Sequence, residues 1–390
     1  MLKQNKYYSY NTKKLPKGCQ YCVKGEKLVL FVTGICPRKC YFCPVSDDKI
    51  GKDVTYANEL KIENINENMN EIIKEAKNMN AKGMGITGGD PLSRIDRTVE
   101  CIKLLKKTFG KKFHIHLYTS LNLATEQNLQ KLYEAGLDEI RFHLDLDSEK
   151  FWRNIERAKK NSWDVGVEIP MIPTKQEEIK KMIDYVHDKV DFLNMNELEL
   201  ADNSMSQLYQ IGFKPKDKIS YAVKDSINAG LQIMEYAKKY NLPMHLCTAK
   251  LKDKVQLGNR IKREGKTIKK EFETLTEEGL LKRGVLYLPE LKPGFGYQKK
   301  IAQTDKKMYI EKLNNIKLDL QKKLNLKEKE IYTDAKKLRI LISEKNAKKH
   351  KKLFIQMKLC PAIVTEYPTA DQLEMEIEFV KNHQSKIGGM

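Results

Sequence analysis

The 390-residue sequence has no long apolar run. The longest, such as LVLFV at residues 28–32, falls far short of the roughly 20 residues a spanning helix needs. Its first residues, MLKQNKYYSYNTKK, contain no apolar core of a secretory leader. The expectation is a cytoplasmic protein with no membrane partner. No internal repeat is visible beyond a strand–helix rhythm. Without an oxidising destination, the eight cysteines are not expected to form a disulfide framework.

Charge, in contrast, is abundant and uneven. The net charge is +20, and residues 250–360 hold 31 Lys+Arg against 14 Asp+Glu. A field of that sign favours polyanions, nucleic acid above all. No recognisable RNA-binding signature accompanies it. The abundant Lys, Asn and Ile also fit a compositional bias that merely decorates surfaces with lysine.

From residue 28 to about 200, short apolar runs alternate with amphipathic stretches. The extended runs are LVLFVTG (28–34), GMGITGG (83–89), HIHLYTS (114–120), DEIRFHLDL (138–146), VGVEIPMIP (165–173) and DFLNMNELEL (191–200). Helical patterns of 10–15 residues separate them. Such alternation implies parallel βαβ units of one hand, which curl into a barrel. The expected fold class is α/β: a partial (β/α)6 TIM-like open barrel with a C-terminal α+β module. LPMHLCTAK (242–250) looks like one further strand. The expected organisation is an N-terminal CxxC segment (1–27), the barrel (28–250), a basic extension with a hairpin (251–300) and an α+β domain (301–390). In that last domain KLRILIS and segments near FIQMK and ADQLEMEIEFV read as strands, and NAKKHKK as a basic turn.

Five cysteines lie in two clusters, and Cys101, Cys247 and Cys360 are scattered. Isolated cysteines such as Cys101 and Cys360 are usually buried small hydrophobes. Cys19-x2-Cys22 and Cys40-x2-Cys43 have spacings acceptable for a four-cysteine zinc ribbon. That reading leaves Cys36 without a role and puts an apolar strand inside a small knuckle. In the other reading Cys36, Cys40 and Cys43 hold three irons of a [4Fe-4S] cluster and leave the fourth iron open. Their loop follows the first strand, and so lies at the face where βα barrels keep their active sites.

The pattern Cys36-x3-Cys40-x2-Cys43, with Phe42 before the last cysteine, resembles the signature of radical S-adenosylmethionine enzymes. Thr87-Gly88-Gly89-Asp90-Pro91 ends the second strand and resembles that family's GGE segment, with Asp in place of Glu. The wider string, including AGLDEIRFH, LNMNELE and KDKVQLGNR, is similar over roughly residues 15–295 to archaeal members related to pyruvate formate-lyase activating enzyme. The resemblance implies a [4Fe-4S] cluster and S-adenosyl-L-methionine as cofactors. It further implies reductive cleavage to a 5′-deoxyadenosyl radical that abstracts hydrogen from substrate, and an electron donor such as ferredoxin or flavodoxin.

On that resemblance, Phe42, Gly88, Gly89, Asp90, Thr119, Ser120 and Glu168 are the expected cofactor contacts. Glycine lets the backbone approach a ligand closely. His116, Arg141, His143, Asn194, Asn196 and Glu199 are polar groups on otherwise apolar strands, and so candidates for a catalytic or substrate pocket. Cys19, Cys22 and Cys247 form a candidate second metal site, an iron–sulfur cluster or a zinc completed by His245, if the chain ends of an open barrel meet. For function, the leading expectation is modification of a macromolecule, RNA or protein, reached through the basic C-terminal region. Activation of a glycyl-radical enzyme, a small-molecule reaction, and a non-enzymatic iron–sulfur or RNA-binding role are the alternatives.

Overall fold

The computed structural model describes residues 2–380. It divides into two compact units, at Arg260/Ile261.

The first unit is built on ten strands. In chain order they are β1 (Tyr10–Asn11), β2 (Lys27–Phe31), β3 (Thr55–Ala57), β4 (Leu60–Ile62), β5 (Gly83–Thr87), β6 (His114–Ser120), β7 (Glu139–His143), β8 (Asp164–Met171), β9 (Phe192–Glu197) and β10 (Met244–Cys247). The sheet order is β1-β10-β9-β8-β7-β6-β5-β2-β3-β4. From β2 through β5, β6, β7, β8 and β9 to β10 every pairing is parallel. This is the expected open α/β barrel, with β10 as the further strand. The strands are buried along nearly their whole length, as sheets covered on both faces require. Helices return the chain between strands, and their ends carry ordinary stop signals. Helix Glu126–Ala135, for example, starts on Thr125, whose side chain accepts from the Asn128 N–H. It ends at Gly136, at φ 96°, where only glycine sits without cost.

The two ends of the barrel sheet are tied by the N-terminal segment. β1 pairs antiparallel with β10, Tyr10 opposite Leu246. The short helix α1 (Lys17–Cys22) then sits at the N-terminal ends of the strands. The Gly18 N–H donates to Glu139 Oε2 at 2.8 Å, and Tyr21 stacks on His114 with ring centroids 5.6 Å apart. A Cβ at Gly18 would stand 2.6 Å from Arg141 and 2.7 Å from His116, so α1 closes the barrel floor at backbone contact distance.

The second unit is an antiparallel sheet of β11 (Thr274–Leu275), β12 (Leu281–Tyr287), β13 (Ile331–Asp334), β14 (Arg339–Ile342), β15 (Cys360–Glu366) and β16 (Glu374–Phe379). Its order is β13-β14-β12-β15-β16, with β11 on β12. The expected boundaries at 250/251 and 300/301 do not stand. Gly284 on β12 pairs with both Ile342 and Ile363, so the hairpin assigned to a basic extension supplies the central strand of the C-terminal sheet. NAKKHKK and FIQMK, read as a turn and a strand, belong to helices Glu344–Lys349 and Lys351–Gln356. Ser343 caps the first, and Ala347 on the first and Phe354 on the second are both fully buried.

Candidate active site

The loop that follows β2 carries Cys36, Cys40 and Cys43, and the protein backbone holds its root. Gly89 N donates to Thr33 O at 2.7 Å, and Asp90 N to Ile35 O at 2.9 Å. A Cβ at Gly89 would lie 2.6 Å from Ile35 O and 2.7 Å from Gly34 O. One at Gly88 would lie 2.5 Å from Thr33 O. The sequence pointed to glycine for close approach of a ligand. The close approach found is to the cysteine loop itself, so these two glycines clamp the loop to β5. Gly34, which the sequence reading passed over, is as constrained: its Cβ would meet Lys49 O.

Charged groups hold the rest of the loop. Asp53 accepts from Thr33 Oγ1 at 2.9 Å, Arg94 at 2.8 Å and Arg97 at 2.7 Å. Burial works against its charge, but these bonds keep its carboxyl well below the usual range. Arg38 reaches Asp145 at 3.2 Å and the His143 carbonyl at 3.3 Å. Asn203 donates to the carbonyls of Cys43 and Val45, both at 2.9 Å. None of Asp53, Arg38 or Asn203 was singled out from sequence; the only available signal was the pair Arg94 and Arg97, one helical turn apart.

Beside the three thiols opens a cavity of about 760 Å³. Cys36, Cys40, Phe42, Cys43, Gly88 and Gly89 line it, together with Asp90 and the stretch Tyr118, Thr119 and Ser120. All three cysteines are free, and burial pushes the Cys36 thiol up to about 11. A soft three-thiol donor set lining open space fits an iron–sulfur cluster.

Asp90 lines this cavity, yet its carboxylate is already engaged. Oδ1 accepts from Leu92 N at 3.0 Å and Thr119 Oγ1 at 2.7 Å, and Oδ2 from Ser120 N at 3.0 Å and Ser120 Oγ at 2.7 Å. All four acceptor positions of a carboxylate are filled. In place of the expected cofactor contact, the Asp90 side chain is a brace that fixes Thr119 and Ser120 at the rim.

A second cavity of about 330 Å³ adjoins the first through Phe42, Thr87, Tyr118 and His143. It is lined further by Arg141, Glu168, Asn196 and Glu199, and by Lys252, which sequence reasoning missed. Glu168, expected at the cofactor, lines this adjoining pocket. It accepts from Arg141 at 2.7 Å and from Asn196 at 2.8 Å. Lys252 bonds Glu199 at 2.6 Å. His116 and Asn194, expected in the pocket, line neither cavity. His116 is buried against Tyr118, 3.0 Å away, and Asn194 bonds His245 Nδ1 at 2.6 Å. Burial lowers His245 to about 4.

The expected second metal site meets a different environment. The chain ends do approach: Val23, next to Cys22, packs with Cys247 and Leu251. Among the described residues, however, no three His, Cys, Asp or Glu side chains converge as ligands of one ion do, the loop triplet included. The contrast lies in space. Cys19, Cys22 and Cys247 line neither cavity, and burial raises Cys247 to about 12. Cys101 lies in the barrel core, and Cys360 packs on the core of the second sheet.

Three loop thiols at the C-terminal face of an open parallel barrel, with a glycine-lined rim, define an iron–sulfur radical enzyme. The chain belongs to the radical S-adenosylmethionine superfamily, whose model matches residues 30–186. It is 39% identical over 381 residues, 95% of this chain and 94% of the relative, to a protein of Methanocaldococcus jannaschii named provisionally as a glycyl-radical enzyme activating enzyme. A Saccharolobus islandicus protein named provisionally as a GTP 3′,8-cyclase is 24% identical over 249 residues, 58% of this chain and 74% of that protein. Among solved structures, methylornithine synthase matches with a TM-score of 0.38 and 15% identity, over 58% of this chain and 71% of that one. Among the described residues no helix is long and apolar enough to cross a membrane.

Proposed function

We propose that the chain abstracts a hydrogen atom from a macromolecular substrate, a protein, at the junction of its two cavities. When bound, a [4Fe-4S] cluster and S-adenosylmethionine supply one-electron cleavage of a sulfonium and a hydrogen-abstracting adenosyl group. Cys36, Cys40 and Cys43 would hold the cluster. Gly88, Gly89 and the Asp53 cluster fix the loop that presents them, and Asp90 keeps Thr119 and Ser120 at the rim. Phe42, tilted against His143 with centroids 5.7 Å apart, forms part of the wall between the compartments. Arg141 and Asn196 both donate to Glu168 in the second cavity, and so offer a polar but internally neutralised surface to an uncharged group such as a peptide.

The observation that carries the reading is the meeting of the cysteine triplet and the glycine rim on one cavity that continues into a polar pocket. Protein is favoured over RNA by the name of the 39% identical relative. Formation of a glycyl radical is a narrower form of the reading and rests on that name alone. The electron donor would be a small one-electron carrier of the ferredoxin or flavodoxin kind. The test compares tryptic peptides and RNA nucleosides from a deletion strain and its parent by mass spectrometry, alongside dithionite-driven release of 5′-deoxyadenosine by reconstituted protein. A peptide mass lost in the deletion strain is expected. A loss confined to RNA would overturn the protein reading, and absence of 5′-deoxyadenosine would overturn the radical reading.

A further inference from the structure

The barrel floor holds a set of reactive groups that the site above does not use. Cys19 and Cys22 stand three residues apart on α1, and so on one face of a single turn. Both thiols are free, Cys19 buried and Cys22 only partly so. Each has a cation beside it. Arg141 Nη2 lies 3.4 Å from Cys19 Sγ, and Lys27 Nζ stands 5.7 Å from the ring centroid of Tyr21, the neighbour of Cys22 in α1, from where its charge acts on the Cys22 thiol. Lys27 is 3% exposed. Its ammonium bonds the Met84 carbonyl at 2.9 Å, the His114 carbonyl at 2.7 Å and His114 Nδ1 at 2.8 Å, with no carboxylate partner among the described residues. Two further buried atoms, His116 Nδ1 and His114 Nε2, have no hydrogen-bond partner. A buried amine without a counter-ion needs either to lose its proton or to face an anion. A Cys22 thiolate would be such an anion, with a stronger pull on Lys27 than the buried Glu139 carboxylate has.

We propose that Cys19 and Cys22 are a redox-active dithiol that closes to a disulfide by exchange with a disulfide oxidant. Cys22, the less buried residue of the two, gives its proton to the Lys27 amine and attacks one sulfur of the oxidant. That step forms a mixed disulfide and releases one thiol, which takes up the proton. Cys19 then attacks the Cys22 sulfur, displaces the second thiol with its own proton, and completes the bridge. Two protein thiols are oxidised and one disulfide is reduced to two thiols, with no other reactant. Burial raises both thiols above the ordinary range, which makes the exchange slow. Burial also lowers Lys27 to about 7, so the amine is partly free to accept a proton near neutrality.

This inference does not rest on the proposed function, because its readout is the thiols themselves. Trypsin releases both cysteines on one peptide, residues 18–24, whereas Cys36, Cys40, Cys43 and Cys247 fall on others. Full-length protein is equilibrated with reduced and oxidised dithiothreitol at a series of ratios, quenched in acid, unfolded, alkylated and digested. The expected result is conversion of the 18–24 peptide from doubly alkylated to unalkylated and lighter by two hydrogens, reversible with the ratio. Cys19→Ser and Cys22→Ser should each abolish the conversion, and Cys247→Ser should leave it unchanged. In samples quenched at intervals before equilibrium, Lys27→Met should slow the conversion about tenfold by removing the base. An 18–24 peptide doubly alkylated at every ratio, or a bridge linking it to the Cys247 peptide, would overturn the proposal.

Discussion

The two cysteine groups of this protein have similar spacings and opposite surroundings. Cys36, Cys40 and Cys43 sit on a loop above the barrel, anchored at its root and open to a cavity of about 760 Å³. Cys19 and Cys22 sit on a helix below it, packed against Arg141 and the residues around Lys27. The difference teaches that ligand spacing proposes a metal site but space and charge dispose of it. A cluster needs room beside its thiolates, and the floor cysteines line neither of the two cavities and stand instead beside Arg141 and the buried Glu139, a setting that suits thiol chemistry.

The largest effect should come from the loop. Replacing any one of Cys36, Cys40 or Cys43 with Ala is expected to abolish iron retention and 5′-deoxyadenosine release after anaerobic reconstitution, whereas Cys247→Ser leaves both near the parent level. Iron analysis and chromatography of the nucleoside check this, and equal losses in both groups would erase the contrast. Next comes the clamp. Gly89→Ala puts a methyl group against two backbone carbonyls, which cannot yield as a side chain would. Cofactor cleavage is expected to fall at least about tenfold, with the far-ultraviolet circular dichroism of the folded barrel retained. A variant as active as the parent would show that the root of the loop is free to shift.

How far the sequence spoke depends on which link is asked. The barrel was legible because each parallel strand is a local apolar run: HIHLYTS corresponds to β6 residue for residue. The cysteine loop was legible from spacing, since it needs no long-range partner to be recognised. β12 was misplaced because its neighbours, β14 and β15, lie more than fifty residues away in the chain, and nothing local records that pairing. FIQMK was misread because a short apolar run does not distinguish strand from helix. Asp90 shows a third limit. The resemblance of its segment to the family's GGE motif suggested a ligand contact, but whether a carboxylate is available depends on who already donates to it, and four donors do.

Asp90 therefore separates bracing from binding. Asp90→Asn replaces one acceptor oxygen with a donor facing hydroxyl and amide donors, so buried groups lose their partner at a cost of about 1–3 kcal/mol. The midpoint of denaturant unfolding should fall accordingly, while iron binding by the three cysteines persists. An unchanged midpoint with lost cofactor affinity would return Asp90 to the ligand role.

The smallest effect, and the sharpest on the floor, concerns Lys27. Burial lowers it from 10.5 to about 7 in the folded protein, while the unfolded chain keeps the ordinary value. Below about pH 7 both states carry the proton. Between about 7 and 10.5 only the unfolded state does, so the unfolded chain binds more protons and folding stability rises with pH across that window. The slope approaches 1.4 kcal/mol per pH unit where the proton difference is complete. In Lys27→Met this contribution vanishes whatever the variant's absolute stability, because methionine does not titrate. Buried thiols whose pKa is raised act in the opposite sense in both proteins, so denaturant unfolding of the reduced protein at pH 7, 8 and 9 should show the parent's stability rising relative to the variant's. Parallel profiles would mean that Lys27 stays charged in the folded protein, and with that the amine would be unavailable as the base for Cys22.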